Sequence, residues 1–307
     1  MILVITRKDD FTADYIITGL QKKNIKYLRF NTEDLVDESK CSVQFSDGVC
    51  SAIIRDYSQF RSVLFRRTKL PDINADNPSV AHFYDVQNRS FIDNLWSVID
   101  SRWISNPFYI YRAENKLLQL RTAQKYDWRI PNTLVTTDNS KIKRFYEESN
   151  GQVVIKPLNR NRVHIDTGVY TMYTNELASS HIDNIDNYLP IPTILQEKIT
   201  KQYELRVTVV GNEVFAAKVD SQSIAESKTD WRKSDLPFTA TTLPEEVANK
   251  CIAITKELNL EYGAVDLAYD DKGNYVFFEI NPVGQFVWIE LQTGMSITNS
   301  LINLLTS

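Results

Sequence analysis

The stretch FFEINPVGQFVWIE, Phe277 to Glu290, decides the fold that we expect for this chain. It begins as a buried strand, but Glu279 and Asn281 interrupt the apolar run two residues apart. Side chains at positions i and i+2 of a strand point to the same face of the sheet. A carboxylate and an amide therefore share one face, directly before Pro282, where strand pairing can end.

A second carboxylate is predicted opposite the first. The segments GAVDLAYD and NYVFFEIN flank a turn at Lys272-Gly273, and a hairpin centred on that turn pairs Asp266 with Glu279. Like charges directly opposite each other destabilise a sheet. In a half-buried site the repulsion grows, because unit charges ~4 Å apart interact by about 4 kcal/mol at an effective dielectric constant near 20. A positive group should therefore lie between the two carboxylates.

Magnesium fits these groups. Two carboxylates and the Asn281 oxygen on one face suit a hard, oxygen-seeking Mg²⁺ ion, which is usually held by a few protein ligands and by phosphates. Two alternatives stay open: a Lys or Arg neutralises the pair, or one carboxylate faces solvent. A magnesium site of this kind predicts a polyphosphate ligand and cationic side chains that bind it.

Three cationic residues are candidates for that role. Lys156 ends the apolar strand VVIKP, where packing does not explain a lysine, and Arg206 lies inside the apolar alternation of YELRVTVV. Lys116 follows Glu114-Asn115 in a helical pattern and, taken alone, indicates a solvated lysine on a helix. Arg206, taken alone, is as consistent with an arginine that covers the rim of the sheet as with a functional residue. A hairpin turn at Gly211-Asn212 places Lys218 on the opposite face from Arg206, so Lys218 is not part of the predicted site.

Composition and charge narrow the class of protein. The chain has 307 residues, of which 43% are hydrophobic and 24% charged, as in ordinary globular proteins. Its formal charge of −4 argues against a nucleic-acid partner. The N-terminal MILVITRKDD indicates a strand rather than a signal peptide, and no apolar run approaches the ~20 residues of a membrane span. Three cysteines without metal or disulfide spacing predict reduced thiols in a cytoplasmic protein.

Three blocks follow one another along the chain. Residues 1–111 alternate short strands with helical patterns, including one helix from Pro78 to about Trp103, which is typical of a small α/β unit with a mainly parallel sheet. Residues 112–190 predict a small central α+β block. Residues 191–307 predict a larger block with an antiparallel sheet. The strand ILQEKI, Ile194 to Ile199, becomes polar near the boundary between the second and third blocks. Backbone groups at such a place can recognise the base of a nucleotide.

The order of these elements resembles the ATP-grasp ligases over essentially the whole chain. An α/β block is followed by ENK, VVIKPL, ILQEKI, ELRVTVVG, AVDLAYD and FFEINPVGQF. More narrowly, the chain is similar to the microviridin-type, or graspetide, synthetases, which macrocyclise ribosomally made peptides. This resemblance rests on INPVGQFVWIE, LFRRTKLP and Asp230-Trp231-Arg232. Within that group the chain resembles the thuringinin-type branch. The resemblance implies an ATP-grasp fold with an N-terminal α/β domain, a small central domain and a C-terminal antiparallel-sheet domain.

The resemblance also implies roles for individual residues. Arg206 would stabilise the transferring phosphate, and Asp266, Glu279 and Asn281 would hold two Mg²⁺ ions bridged by Glu279. The residues expected to contact ATP are Lys116 and Lys156 at the phosphates, Gln196, Glu197, Lys198 and Ile199 at the adenine, and Glu204 near the ribose.

The Asp230-Trp231-Arg232 motif bears on the substrate. By the resemblance, Arg232 would hold the carboxylate of a substrate Glu or Asp with its bidentate fork. Asp230 would accept the proton of an attacking hydroxyl group. Without the family, the same motif indicates an ion pair in a surface loop.

The function implied is an ATP-dependent, ADP-forming ligase. It would phosphorylate Glu or Asp side chains of a ribosomal precursor peptide and join them to Ser or Thr hydroxyls as esters, or to Lys as amides. A leader segment in the precursor and a homodimer are expected from the family. Two alternatives stay open: a RimK-like ligase that adds an amino acid to a protein or peptide carboxylate, and a non-catalytic ATP-binding regulatory protein.

Overall fold

The first block of the chain forms a parallel sheet with helices. The computed structural model describes residues 1–36, 40–159, 162–165, 167–188 and 191–307. The elements of this block are β1 (Ile2–Thr6), α1 (Phe11–Lys22), β2 (Tyr27–Asn31), β3 (Ser42–Ser46), β4 (Val49–Ile53), β5 (Ser62–Phe65), α2 (Pro78–Val98) and β6 (Arg102–Ile104). Four of the strands form one sheet in the order β2–β1–β5–β6, and β3 pairs with β4 in a separate hairpin.

Local sequence explains where these elements begin and end. Strand β1 is buried on both faces, as expected for an apolar run in a parallel sheet. Helix α1 begins after Asp10, whose carboxylate accepts the backbone N–H groups of Thr12 and Ala13 at 3.1 and 3.3 Å. The prediction that α2 continues to about Trp103 is wrong: the helix ends at Val98, and the following apolar residues pair with β5 as the edge strand β6.

The second block is a small antiparallel sheet preceded by two helices. Its elements are α3 (Pro107–Ala113), α4 (Lys116–Lys125), β7 (Thr133–Thr136), α5 (Asn139–Glu148), β8 (Val153–Lys156), β9 (Arg162–Ile165), β10 (Gly168–Thr171), β11 (Asn175–Glu176), α6 (Ser179–Asp183) and β12 (Thr193–Glu197). The strand order is β11–β8–β12–β7, and β9 and β10 form a hairpin of their own.

The third block carries a five-stranded antiparallel sheet. Its elements are β13 (Lys201–Val210), β14 (Glu213–Val219), β15 (Phe238–Thr241), α7 (Glu245–Glu257), β16 (Tyr262–Asp270), β17 (Tyr275–Asn281), α8 (Val287–Thr293) and α9 (Ile297–Thr306). The strand order is β15–β14–β13–β16–β17. The fold is therefore the mixed α/β and α+β architecture that the sequence predicts.

The predicted block boundaries can be compared with these elements. The boundary at residue 111 falls within α3. The boundary at residue 190 adjoins Leu189 and Pro190, which lie outside the described residues, and the next strand, β12, is hydrogen bonded within the central sheet. Both boundaries stay predictions.

Shared apolar cores join the first and third blocks. One buried cluster contains Trp96 of α2 together with Phe277 of β17, and another contains Ile16 of α1 together with Leu301 of α9. The central sheet packs around a separate small cluster of Val153, Leu177 and Leu195. Across the described ranges, no helix combines the length and the apolar character that crossing a bilayer requires.

Candidate active site

A cleft of about 1000 Å³ lies where the three blocks meet. Arg206 does not line this cleft, but it contacts Asp266, which does. The other twelve predicted site residues all line it: Lys116, Lys156, Gln196, Glu197, Lys198, Ile199, Glu204, Asp230, Arg232, Asp266, Glu279 and Asn281. The fold thus brings together residues that are widely separated along the chain.

The carboxylate pair lies at the cleft end of the β16–β17 hairpin. Asp266 is directly opposite Glu279, as predicted. Nearer the turn the predicted register is wrong by one residue, because Leu267 pairs with Phe277 and leaves Phe278 as an extra residue. This irregularity is a β-bulge, in which two residues of one strand oppose one residue of its partner.

Each carboxylate has its own cation. Asp266 accepts two hydrogen bonds from Nη1 of Arg206, at 2.8 and 2.9 Å, and Arg206 is the residue directly opposite it on β13. Glu279 accepts a hydrogen bond from Nζ of Lys116, the first residue of α4. The amide nitrogen of Asn281 donates to Asp266 Oδ2 at 3.1 Å. The positive charge that the sequence predicts between the carboxylates is present as these two side chains.

The same charges control protonation of the pair. Burial would raise the pKa of Glu279, but the charges of Lys116, Arg232 and Lys156 together hold it well below its ordinary value. Burial raises the pKa of Asp266, with Arg206 opposing this and the neighbouring Glu279 adding to it. Glu279 is therefore the carboxylate whose ionised form is favoured more strongly.

Lys156 projects into the cleft from the end of β8. Its Nζ lies 5.1 Å from the centre of the Phe278 ring, within the range of a cation–π contact. Burial lowers the pKa of Lys156 to about 8, with the charge of Glu279 opposing this and those of Lys116 and Arg232 adding to it. A nearby anion would favour the charged form, as expected for a phosphate ligand.

Asp230 and Arg232 form a pair with each other. Arg232 donates from Nε and Nη2 to the two oxygens of Asp230 at 2.8 and 2.5 Å. Asp230 also accepts the backbone N–H groups of Arg232 and Thr174, both at 3.1 Å. Burial would raise the pKa of Asp230, but these bonds lower it overall. Asp230 is buried and Arg232 is partly exposed to the cleft, so Asp230 orients the guanidinium group; its role as a general base stays a prediction.

The segment predicted to contact adenine spans the last two residues of β12 and the two residues that follow it. Gln196 is buried and donates from Nε2 to Thr133 Oγ1 at 2.9 Å, while its Oε1 has no partner in the part of the chain that the structure describes. The side chains of Glu197 and Lys198 form ion pairs with Arg129 and Glu176. Backbone hydrogen bonds hold both residues in the sheet, so this wall of the cleft is fixed in place.

Glu204 lies on β13 and is buried with a lysine that the sequence analysis missed. Lys201 Nζ is 2.8 Å from Glu204 Oε1, and both side chains are less than a tenth exposed. Burial raises the pKa of Glu204, although Lys201 opposes this. Lys201 could be recognised only from structure, because it lies at the boundary between two blocks.

Two further residues of the site were missed. Phe278 lines the cleft, and Lys156 and Lys201 both lie over its ring. Gly284 follows β17, and an added Cβ there would lie 2.6 Å from Arg206 Nη2. The signal for Gly284 was its place in INPVGQF, since a glycine permits close approach of another group. The predicted register is confirmed for Lys218, which pairs with Leu205, and its Nζ lies 4.0 Å from the centre of the Tyr203 ring on the face opposite to Arg206.

The donor set fits a magnesium ion bound together with a nucleotide. Within the described ranges, no group of three or more His, Cys, Asp and Glu is arranged to hold a metal alone. Two carboxylates and the Asn281 side chain supply fewer ligands than the six that Mg²⁺ requires, so phosphate oxygens and water would complete the set. The donors are hard oxygen atoms, as magnesium prefers.

Comparisons with known proteins agree with this geometry. Residues 113–305 match the model of the RimK-like ATP-grasp domain. A RiPP-associated ATP-grasp ligase of Chryseobacterium gregarium, solved with ADP and with a leader and core peptide, is 27% identical, with a TM-score of 0.91 over 99% of this chain and 96% of that one. A macrocyclase of Microcystis aeruginosa MRC, solved with its precursor peptide, is 25% identical, with a TM-score of 0.86 over 100% and 99%.

A curated relative is more distant. The ribosomal protein bS6–L-glutamate ligase of Salmonella newport is 24% identical over 243 residues, 78% of this chain and 79% of that protein. The fold and the cleft are those of an ATP-grasp ligase. The chain belongs to the RimK-like ATP-grasp family.

Proposed function

We propose that this protein is an ATP-dependent peptide macrocyclase. It phosphorylates Glu or Asp side chains of a ribosomal precursor peptide and joins them to Ser or Thr hydroxyls as intramolecular esters, or to Lys as amides. One observation carries the proposal: the carboxylate pair, Lys116 and the Asp230–Arg232 pair line a single cleft in a chain that aligns along almost its whole length with the Chryseobacterium RiPP-associated ligase.

The nucleotide would occupy the part of the cleft between the central and C-terminal sheets. Gln196 to Ile199 would contact the adenine, Glu204 the ribose, and Lys116 and Lys156 the phosphates. Asp266, Glu279 and Asn281 would hold magnesium, which we expect as two ions. When bound, magnesium supplies neutralisation of the charge on the phosphate oxygens during transfer. Lys116 would then exchange its bond with Glu279 for a phosphate oxygen.

The chemistry has two steps. A substrate carboxylate attacks the γ-phosphorus of ATP, giving an acyl phosphate and ADP, with Arg206 stabilising the phosphoryl group. A hydroxyl or amine of the same peptide then attacks the acyl carbon, phosphate leaves, and the peptide has lost one water per ring. Arg232 would hold the carboxylate and Asp230 would accept the proton of the nucleophile.

The partner in this proposal is a precursor peptide with a leader segment. We further propose a cytoplasmic homodimer without nucleic-acid or membrane partners. The net charge of −4 supports the absence of a nucleic-acid partner, and the homodimer is expected from the family only.

Intact mass spectrometry tests the function directly. The precursor peptide encoded beside this gene is incubated with the protein, ATP and Mg²⁺, and a Glu279→Gln variant runs in parallel. Loss of whole water masses with the wild type only is the expected result. Mild alkaline hydrolysis then separates esters, which open, from amides, which do not.

One alternative has specific support. The bS6–L-glutamate ligase similarity favours addition of a free amino acid to a peptide or protein carboxylate. A gain of one amino-acid residue mass in the same experiment, with glutamate present, would favour that reaction over macrocyclisation. A peptide of unchanged mass, with ATP not consumed, would contradict both.

A further inference from the structure

The carboxyl ends of β1 and β5 form a crevice at the side of the cleft. The chain leaves β1 through α1 to β2 on one side, and leaves β5 through α2 to β6 on the other. The strand order therefore changes direction between β1 and β5, and ligands of open α/β sheets bind outside the strand ends at such a point. Arg7 follows β1 directly, and Arg66 and Arg67 follow β5.

Arg66 is the most unusual residue of this crevice. It is only 3% exposed, and its Nε lies 3.2 Å from Asp10 Oδ2. The Arg66 side chain lines the cleft. Its Nη2 is buried and has no hydrogen-bond partner among the residues that the structure describes. A buried unpaired donor is unfavourable, and a ligand oxygen would satisfy it.

Most of the charged side chains that line this wall are basic. Asp93 and Glu114 are the two acidic residues among the cleft-lining residues before Lys116. The basic residues in the same stretch are Arg7, Arg66, Arg67, Lys69 and Arg89. Arg7, Lys69 and Arg89 form ion pairs with Asp9, Asp72 and Asp85 on the exposed side of the wall. These pairs neutralise the exposed cations, so the buried, unpaired Nη2 of Arg66 is the donor that an anion would satisfy.

This crevice adjoins the proposed reaction centre. The Tyr262 hydroxyl donates to the Gly284 carbonyl at 2.6 Å, and Gly284 packs against Arg206. Burial raises the pKa of Tyr262, whereas the charges of Arg66, Arg206 and Arg67 act to lower it. The charges of Arg66 and Arg67 therefore reach the same phenol as that of Arg206, which is paired with Asp266.

We propose that Arg66 and Arg67 form a carboxylate-binding subsite for a second acidic side chain of the peptide, beside the one that is activated. A guanidinium fork matches a carboxylate through two parallel hydrogen bonds. The inference rests on the proposed function for the source of the carboxylate. The α-carboxylate of a free amino acid has the same chemistry, and the experiment separates these two sources.

Binding of a synthetic acidic peptide tests the subsite without turnover. Triglutamate is titrated by calorimetry into the full-length protein with ADP and Mg²⁺, with triglutamine as the matched neutral peptide. Arg66→Lys keeps the charge beside Asp10 but removes the fork, and Arg67→Gln leaves the Arg66–Asp10 pair intact. Each should weaken triglutamate binding about tenfold, the change that corresponds to roughly 1.4 kcal/mol. Binding of ADP should stay unchanged in both.

Arg89→Gln is the control, because it removes one positive charge from the same wall at an exposed position. It should leave triglutamate affinity within about twofold, since exposed ion pairs contribute little. Equal affinity in all proteins, an equal loss in Arg89→Gln, or no triglutamate binding to the wild type would overturn the subsite.

Turnover identifies the source of the carboxylate. With the precursor peptide, Arg66→Lys and Arg67→Gln should raise the peptide KM about tenfold, with kcat and the KM for ATP changing less. That effect should disappear when the matching core glutamate is changed to Gln. A rise in the KM for free glutamate, with the peptide KM unchanged, would overturn the assignment to a peptide side chain. Failure of the proposed function is a separate result, because it leaves the peptide mass unchanged with the wild type.

Discussion

Asp266 and Glu279 face each other across one strand pair, yet their cations are held in different ways. Arg206 comes from the adjacent strand β13, bonds both oxygens of Asp266, and is about a tenth exposed. Lys116 comes from the start of helix α4, 163 residues away in sequence from Glu279, and is a quarter exposed. The first pair is part of the sheet, whereas the second joins two separate elements.

This difference indicates how one carboxylate pair can contribute both to stability and to activity. A buried, bidentate pair fixed by strand register is costly to break, since it leaves an uncompensated charge. A single, partly exposed lysine contact is weak and can be exchanged for a phosphate or a metal ion. We therefore expect Asp266 to matter for stability and for activity, and Glu279 mainly for activity.

The largest expected effect separates the two carboxylates. Glu279→Gln should lower kcat by about 10²–10³-fold, a loss typical for removal of one preorganised electrostatic group, while its urea midpoint falls less than that of Asp266→Asn. Asp266→Asn should lower kcat and also destabilise the fold, because Arg206 loses its buried partner. Peptide-dependent ADP release and urea denaturation measure the two quantities. Similar urea midpoints for both variants would contradict the distinction.

Replacing the two cations should likewise separate an effect on stability from an effect on activity. Arg206→Ala should lower the free energy of unfolding by about 3–5 kcal/mol, as for a broken buried ion pair. Lys116→Ala should lower it by less than about 1 kcal/mol, but should raise the KM for ATP. Chemical denaturation gives the first comparison and steady-state kinetics the second. An unchanged KM for ATP in Lys116→Ala would remove this lysine from the nucleotide site.

A glycine gives a smaller test of the Arg206 environment. The added Cβ of Gly284→Ala would lie 2.6 Å from Arg206 Nη2 and 2.6 Å from Ala264 Cβ. We expect a loss of about 1–3 kcal/mol in unfolding free energy, as for overpacking, together with a lower kcat because the guanidinium group moves. Gly294→Ala is the control: it meets no atom within 4 Å, and only its φ of +72° is strained. It should lose stability without losing kcat.

The smallest effect concerns pH. In the free protein burial lowers the pKa of Lys156 to about 8, so its charge is present below that pH and is lost as the pH rises through it. If this charge binds phosphate, ADP affinity should fall about tenfold or more between pH 7 and pH 9.5, because each lost charged hydrogen bond is worth about 1.5–3 kcal/mol. Lys156→Arg should bind ADP with a weaker pH dependence over that range. Identical pH profiles would show that Lys156 does not control binding.

Local sequence was sufficient to predict most of the C-terminal sheet. The turn at Gly211-Asn212 predicts the β13–β14 register, and Arg206 lies opposite Ala217 as expected. The Asp266–Glu279 pairing was also predicted, although the simple hairpin behind that prediction omits the bulge at Phe278. A bulge depends on contacts with neighbouring elements, and the turn sequence carries no signal for it.

Contacts between distant elements could not be predicted in this way. The Lys116–Glu279 bond and the burial of Arg66 beside Asp10 depend on how helices and sheets pack, and periodicity does not describe packing. For the Asp230-Trp231-Arg232 motif, the alternative interpretation was an ion pair between Asp230 and Arg232 in a surface loop. The structure shows that pair, but places it within the cleft.

The bulge at Phe278 increases the number of functional groups that one strand can present. A regular strand offers a given face every second residue. Because of the extra residue, β17 directs Phe278, Glu279 and Asn281 to the cleft within four positions, and so places an aromatic ring beside two polar side chains. Over the same four positions a regular strand would direct only two side chains to that face, so the bulge gives this short edge strand a third.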